Sequence, residues 1–295
     1  MRRGSDMDPA KLHLELSLFA QRRLRPALPD APRSDDARLR ALEAEFLQAE
    51  RAAVAADAAH APDEPQAFVE WFESLRQIGP GQGDPLFPWL AERATLSQMR
   101  WFLAQEVAGE AGFDDLVALT QVRMPVRAKL ELARNYWDEM GRGREAGMHG
   151  PLLAHLAQAV DAEADLRTTV WESLALANLL VGLAFDRRYA YHSVGALGVI
   201  ELTAPGRVAL VDRGLARLGV PRVARRYFTL HATLDVQHSA AWNREVLAPL
   251  VSEVPRAARA IAEGALMRLR AGARCFDRYR RELWRSEPAQ LSELC

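Results

Sequence analysis

Cysteine is nearly absent from the 295-residue sequence, occurring only at Cys275 and Cys295. That excludes a disulfide framework, a four-cysteine zinc site and a cysteine-ligated iron–sulfur cluster. Lysine is as scarce, at Lys11 and Lys129 only, so arginine carries the positive charge. Neither sign of charge dominates. The 38 basic and 39 acidic side chains leave a formal net charge of -1, which excludes a strongly basic nucleic-acid binder. Long apolar runs are missing too. The longest, from Leu174 to Phe185, is too short to span a bilayer and contains Asn178. Met1-Arg2-Arg3 is not followed by the apolar stretch of an export signal. These absences predict a cytoplasmic protein. The hydrophobic share of 49% can fill a core, which excludes disorder throughout.

What is present is helix-forming sequence. Few stretches alternate with period two and no internal repeat is visible, so the chain is expected to be all-α. Pro9, Pro26, Pro29 and Pro32 punctuate the first 35 residues, leaving a short helix near Lys11 to Arg23. Helices are expected over 36–59 and 64–77. Gly79-Pro80-Gly81-Gln82-Gly83 is a break, and it divides a helical extension, residues 1–80, from a main domain, residues 81–295. Thr95-Leu96-Ser97-Gln98 fits a capping box opening a helix that runs through Glu110. A further helix is expected over Val126 to Met140, ending at Gly141-Arg142-Gly143. Pro151 suits the first turn of the next, near 152–164. Segments 169–185, 192–203, 206–218, 221–248 and 254–284 follow. The arginines of the last segment, including Arg268 and Arg274, read as a solvated face.

Four features carry chemistry. His231, Asp235 and His238 are spaced i, i+4 and i+7 on one helix. At about 100° per residue, Asp235 lies some 40° from His231 and His238 some 20° to its other side, so all three share one stripe. Two imidazoles and a carboxylate in a stripe form a metal-ligand set, or else a polar face. Glu201 follows the apolar run Val194–Ile200. It either enters the interior, where it needs an arginine or a metal, or ends the helix at the surface. Glu139 closes a helix before three glycines and His149. Glu145 is a rival partner for His149, and Asp138 reads as solvent-facing. Glu106 interrupts an apolar face, with Glu110 one turn on as its competitor. The four carboxylates Glu106, Glu139, Glu201 and Asp235 balance two divalent cations. With three histidines they suit iron or manganese. No Glu-x-x-His occurs, so ferritin-like di-iron bundles fit poorly.

The ordered set resembles the heme-oxygenase-like di-iron oxidases and oxygenases, the iron-containing redox enzymes, over roughly residues 85–255. The resemblance rests on Phe102-Leu-Ala-Gln-Glu106, on Asn135-Tyr-Trp-Asp-Glu139 with His149 ten residues later, on Gly198-Val-Ile-Glu201-Leu202, and on His231-x3-Asp235-x2-His238. It implies a helical bundle of about seven core helices, with the N-terminal helices extra. It also implies O2 activation at two Fe ions without haem or flavin, the irons being ligated by Glu106, Glu139, His149, Glu201, His231, Asp235 and His238. Relatives oxidise amine nitrogens, while others cleave amino or fatty acids oxidatively. Cysteine-dependent thiamine-degrading enzymes of similar fold fit poorly, because neither cysteine is near these motifs.

The expectation is therefore an O2-dependent non-heme di-iron oxidoreductase acting on a small organic substrate in a specialised biosynthetic pathway. N-oxygenation of an amine is favoured. The alternative is oxidative C–C cleavage or desaturation of an amino or fatty acid. A non-catalytic helical binding protein is the alternative of another class. The partners expected are a small molecule and O2, with an external electron donor and a homodimer allowed and nucleic acid and membrane excluded. Trp101, Phe102, Tyr136, Trp137, Tyr227 and Phe228 are candidates to wall the substrate pocket, or are core aromatics.

Overall fold

The computed structural model describes residues 7–30 and 36–285. Met1-Arg2-Arg3, Pro32 and Cys295 lie outside them. Among the described residues every regular element is helical, with one isolated bridge between Met140 and Met148. The first four helices are α1 (Pro9–Leu24), α2 (Ala37–Ala52), α3 (Ala55–Ala58) and α4 (Pro65–Ile78). Next come α5 (Leu86–Glu92), α6 (Leu96–Gly109), α7 (Phe113–Thr120), α8 (Val126–Glu139) and α9 (His149–Ala159). The chain continues through α10 (Trp171–Phe185), α11 (Ala190–Arg217), α12 (Arg226–Ala241), α13 (Ala248–Glu253) and α14 (Ala257–Arg285).

Local chemistry sets these boundaries. Pro65 opens α4, and the Glu64 carboxylate accepts the N–H groups of Gln66 and Ala67. At α6 both halves of the capping box form. The Gln98 N–H donates to Thr95 Oγ1, and the Thr95 N–H donates to Gln98 Oε1 at 2.9 Å. α10 is buried almost all round, as an apolar helix at the centre of a bundle must be.

The sequence pattern suggested two helices at 192–203 and 206–218, but α11 is continuous, with Pro205 inside it. Proline removes only the hydrogen bond it would give to the Glu201 carbonyl. Packing holds the rest of the helix: α11 lies against α5, α12 and α14. Gly195 and Gly264 let α11 and α14 touch backbone to backbone, since a Cβ on either would strike the main chain of Ile261 or His192. Residues 187–217 are long and apolar enough to cross a membrane, yet 61% of their apolar window is buried within the fold.

The expected helix over 221–248 is interrupted by a π-helical segment, Trp242–Leu247, just past His238. α5 and α7 were not expected. α5 is a short helix that contains Pro88, and α7 starts from Gly112 in the left-handed region, at φ 74°. The N-terminal helices share the core with the rest. Leu16, Phe46 and Phe72 belong to the same contiguous cluster as Leu179 and Ile261, with α1 on α10 and α4 on α13. Each such side chain contributes about 1.5–3 kcal/mol on burial.

Candidate metal centre

Four helices and one turn build the site. Glu139 is the last residue of α8, and His149 is the first of α9. The turn between them folds back through Gly141, Arg142 and Gly143, all at positive φ. A Cβ at Gly141 would collide with the Arg144 carbonyl oxygen and with Gly147, so glycine is required there. α12 contributes His231, Asp235 and His238, and α11 contributes Glu201. All six of these residues are buried.

Their atoms converge in two groups that share one carboxylate. Glu139 Oε2 lies 2.7 Å from His149 Nδ1 and 3.4 Å from His231 Nε2, and the two imidazoles are 3.1 Å apart. Glu139 Oε1 lies 3.6 Å from His238 Nδ1, which is 3.4 Å from Glu201 Oε2. Ligand atoms of Glu139, His149 and His231 fall within 4.8 Å of one another, as do those of Glu139, Asp235 and His238. A cavity of about 60 Å3 beside them is lined by Glu139, His149, Glu201, His231 and Asp235.

Outer partners fix the rings. His231 Nδ1–H donates to the Tyr227 carbonyl at 2.7 Å, which turns Nε2 toward the cluster. His238 Nε2–H donates to Asp138 Oδ2 at 3.3 Å, leaving Nδ1 to face inward. Asn135 Nδ2 holds Glu201 Oε1 at 2.6 Å. This is the support that metal-ligating histidines and carboxylates receive.

Charge in the cluster is unbalanced. Among the described residues no arginine or lysine pairs with Glu110, Glu139, Glu201 or Asp235; their ionic partners are histidines. Burial, then the carboxylates of Glu201 and Glu139, push Asp235 well above the usual carboxyl range. Burial lowers His238, but Glu201 and Glu139 outweigh it and raise the imidazole to about 9. His149 is likewise held well above its ordinary value by Glu110 and Glu139 against the effect of burial. Asp235 Oδ1 and His238 Nδ1 are buried without a hydrogen-bond partner among the described residues. The orphaned Asp235 oxygen, with the His238 nitrogen that a cation would free of its proton, makes a mixed oxygen and nitrogen set that fits divalent iron.

Of the seven residues taken from the sequence, six meet here and Glu106 stands apart. Its carboxylate accepts from Tyr279 at 3.1 Å. Glu110, one turn on, meets His149 Nε2 at 3.1 Å. It lies just past the end of α6, and its carboxylate also takes the N–H groups of Gly112 and Phe113. Asp138 was expected to face solvent, but it is half-buried against His238 because α8 carries it one residue before Glu139. Glu145 is exposed. Phe102, Tyr227 and Phe228 line the neighbouring cavity, whereas Trp137 is exposed. In the sequence Asn135 is only one position of a motif, and its role as the donor to Glu201 shows in the fold alone. Burial pushes the Cys275 thiol up to about 12, so it stays protonated.

A helical bundle enclosing a buried carboxylate–histidine cluster defines an all-α, heme-oxygenase-like metalloprotein. The family model described as iron-containing redox enzyme matches residues 100–273, more than half of the chain, and the chain belongs to that family. Membership carries a general oxidoreductase role and iron as the metal. No curated protein matches the chain.

Proposed function

We propose that this chain is a non-heme di-iron oxidoreductase that uses O2 to oxidise a small organic substrate, with N-oxygenation of an amine the favoured reaction. The observation that supports it is the shared carboxylate, Glu139, with one oxygen turned to each half of the cluster. His149 and His231 would hold one iron with Glu139. Glu201, Asp235 and His238 would hold the other. Glu110, at His149 Nε2, would orient that imidazole from the side away from Glu139. When bound, the two irons supply the activation of O2.

The chain's own residues orient and seclude. Asp138, Asn135 and the Tyr227 carbonyl set the donor atoms. The Tyr227 hydroxyl lies 3.2 Å from His149 Nε2. Burial and then Glu110 hold it well above the usual phenol range, so it keeps its proton at neutral pH. Phe113, Leu153 and Phe228 give the adjoining cavity an apolar wall. The Glu110 carboxylate on that cavity suits an amine.

The test is O2 uptake by anaerobic protein loaded with two equivalents of iron(II), with product masses read for primary amines and for fatty acids. Oxygen added to the amine nitrogen supports the proposal. Uptake stimulated only by fatty acids, with loss of CO2, moves the assignment to oxidative cleavage.

A further inference from the structure

A cavity of about 150 Å3 adjoins the cluster and is lined by Glu110, His149 and Tyr227. It is also lined by Arg207 of α11, Arg268 of α14 and Glu106 of α6. Glu110 meets His149, whereas Glu106, one helical turn earlier, feels Arg268 and Arg207. The guanidiniums are therefore grouped with Glu106 and the cluster with Glu110, one helical turn along. Apolar groups, among them Phe102, Leu176 and Leu180, line the space as well. Such a volume takes a molecule of roughly six to eight heavy atoms, a little above benzene.

The arginine end is unbalanced in the sense opposite to the cluster. Neither Arg207 nor Arg268 forms an ion pair among the described residues. Arg207 gives one N–H to Thr203 Oγ1 at 3.2 Å. Arg268 makes no hydrogen bond among the described residues, and its buried Nε is unpartnered. The one carboxylate near them, Glu106, already accepts from Tyr279. Burial and the neighbouring Arg268 pull Arg207 down to about 9, so it stays charged at neutral pH. Two enclosed guanidiniums facing one carboxylate leave a positive charge that a bound anion would neutralise. Arg268 was expected on a solvated face; α14 turns it inward instead.

We infer that this cavity binds a small aliphatic amino acid as a zwitterion, with its carboxylate on Arg207 and Arg268 and its amine at the Glu110 and His149 end. The assignment of the amine as the oxidised end rests on the di-iron reading above. Arg207 and Arg268 act in binding and orientation.

The test is calorimetric titration of the full chain, anaerobic, both chelator-treated and loaded with iron(II). The probes are 5-aminopentanoate, pentylamine and inorganic phosphate. 5-Aminopentanoate is expected to bind roughly tenfold or more tighter than pentylamine, a margin typical of charge-assisted hydrogen bonds. Arg268→Met is expected to erase that margin with iron content unchanged. Its thermal midpoint should hold or rise, because an unpaired enclosed charge has been replaced by an apolar chain. Should Arg268→Met not fold, Arg207→Gln reports the same margin. Equal binding of the two amines by the parent protein overturns the inference. So does a margin that survives either substitution, or phosphate binding as tightly as 5-aminopentanoate. The di-iron reading fails separately: a parent that holds no iron yet shows the full margin keeps the anion subsite and loses the metal.

Discussion

Two buried glutamate–histidine clusters occupy the same bundle and differ in what surrounds them. In one, Glu263 of α14 is met by His192 at 3.0 Å, Arg51 at 2.6 Å and Arg259 at 3.2 Å. Burial would raise Glu263, but these partners hold it below the usual carboxylate range. In the other, Glu139, Glu201 and Asp235 crowd together with histidines and, among the described residues, without a paired arginine. The first cluster neutralises its carboxylate and ties α14 to α2 and α11, although His192 Nδ1 is buried without a partner among the described residues. The second has excess negative charge and orphaned donor atoms, the signature of a site built for cations. A buried carboxylate with a histidine beside it is therefore not by itself a metal site; the absence of a neighbouring arginine decides.

The largest expected contrast is in iron content. His238→Ala should lower bound iron by about an order of magnitude or more, because it removes an inward-facing nitrogen. His192→Ala should leave iron content unchanged and lower the thermal midpoint. Metal analysis and calorimetry on both variants check this, and equal iron loss would erase the distinction.

Stability should then move in opposite directions. Glu263→Gln breaks a satisfied network and should cost roughly 1–3 kcal/mol. Asp235→Asn in chelator-treated protein should leave the midpoint unchanged or raise it, since it relieves repulsion from Glu201 and Glu139. Denaturant melts would show it, and comparable losses would make the second cluster structural.

Helix existence and the His231, Asp235 and His238 stripe were legible because periodicity, caps and spacing are local. The convergence of Glu139 with His149 was legible only as a pairing, since the glycines permit a turn without dictating its course. The choice between Glu106 and Glu110 was not legible. Glu106 lies in α6 and Glu110 just past its end, one turn on, and what separates them is the chain reversal after the helix, which folds Glu110 back onto Gly112 and Phe113. Asp138 was misread because its partner, His238, lies 100 residues away. Continuity through Pro205 and the π segment after His238 depend on tertiary packing.

A pH dependence of moderate size follows from His238. Its folded value is about 9 against an ordinary 6.5. In metal-free protein its stabilising contribution is fully present below 6.5 and is lost as pH rises through about 9. Iron must displace that proton, so the iron-induced rise in thermal midpoint should grow as pH increases from 6 to 8.5. Calorimetry with and without iron(II) across that range measures both slopes, and a flat iron increment would contradict the assignment.

The smallest contrast lies along α6 and its end. Glu110→Gln should weaken iron binding more than Glu106→Gln, by roughly tenfold for a residue that orients a ligand. Glu145→Ala should have no effect, because the side chain is exposed. Iron titrations of the three variants rank them, and a larger loss from Glu106→Gln would restore Glu106 as the ligand.

The most direct measurement is anomalous diffraction at the iron edge from anaerobic crystals loaded with iron(II). Two peaks are predicted on either side of Glu139, one beside His149 and His231 and one beside Asp235 and His238. A single peak, or none between these residues, would contradict the di-iron centre.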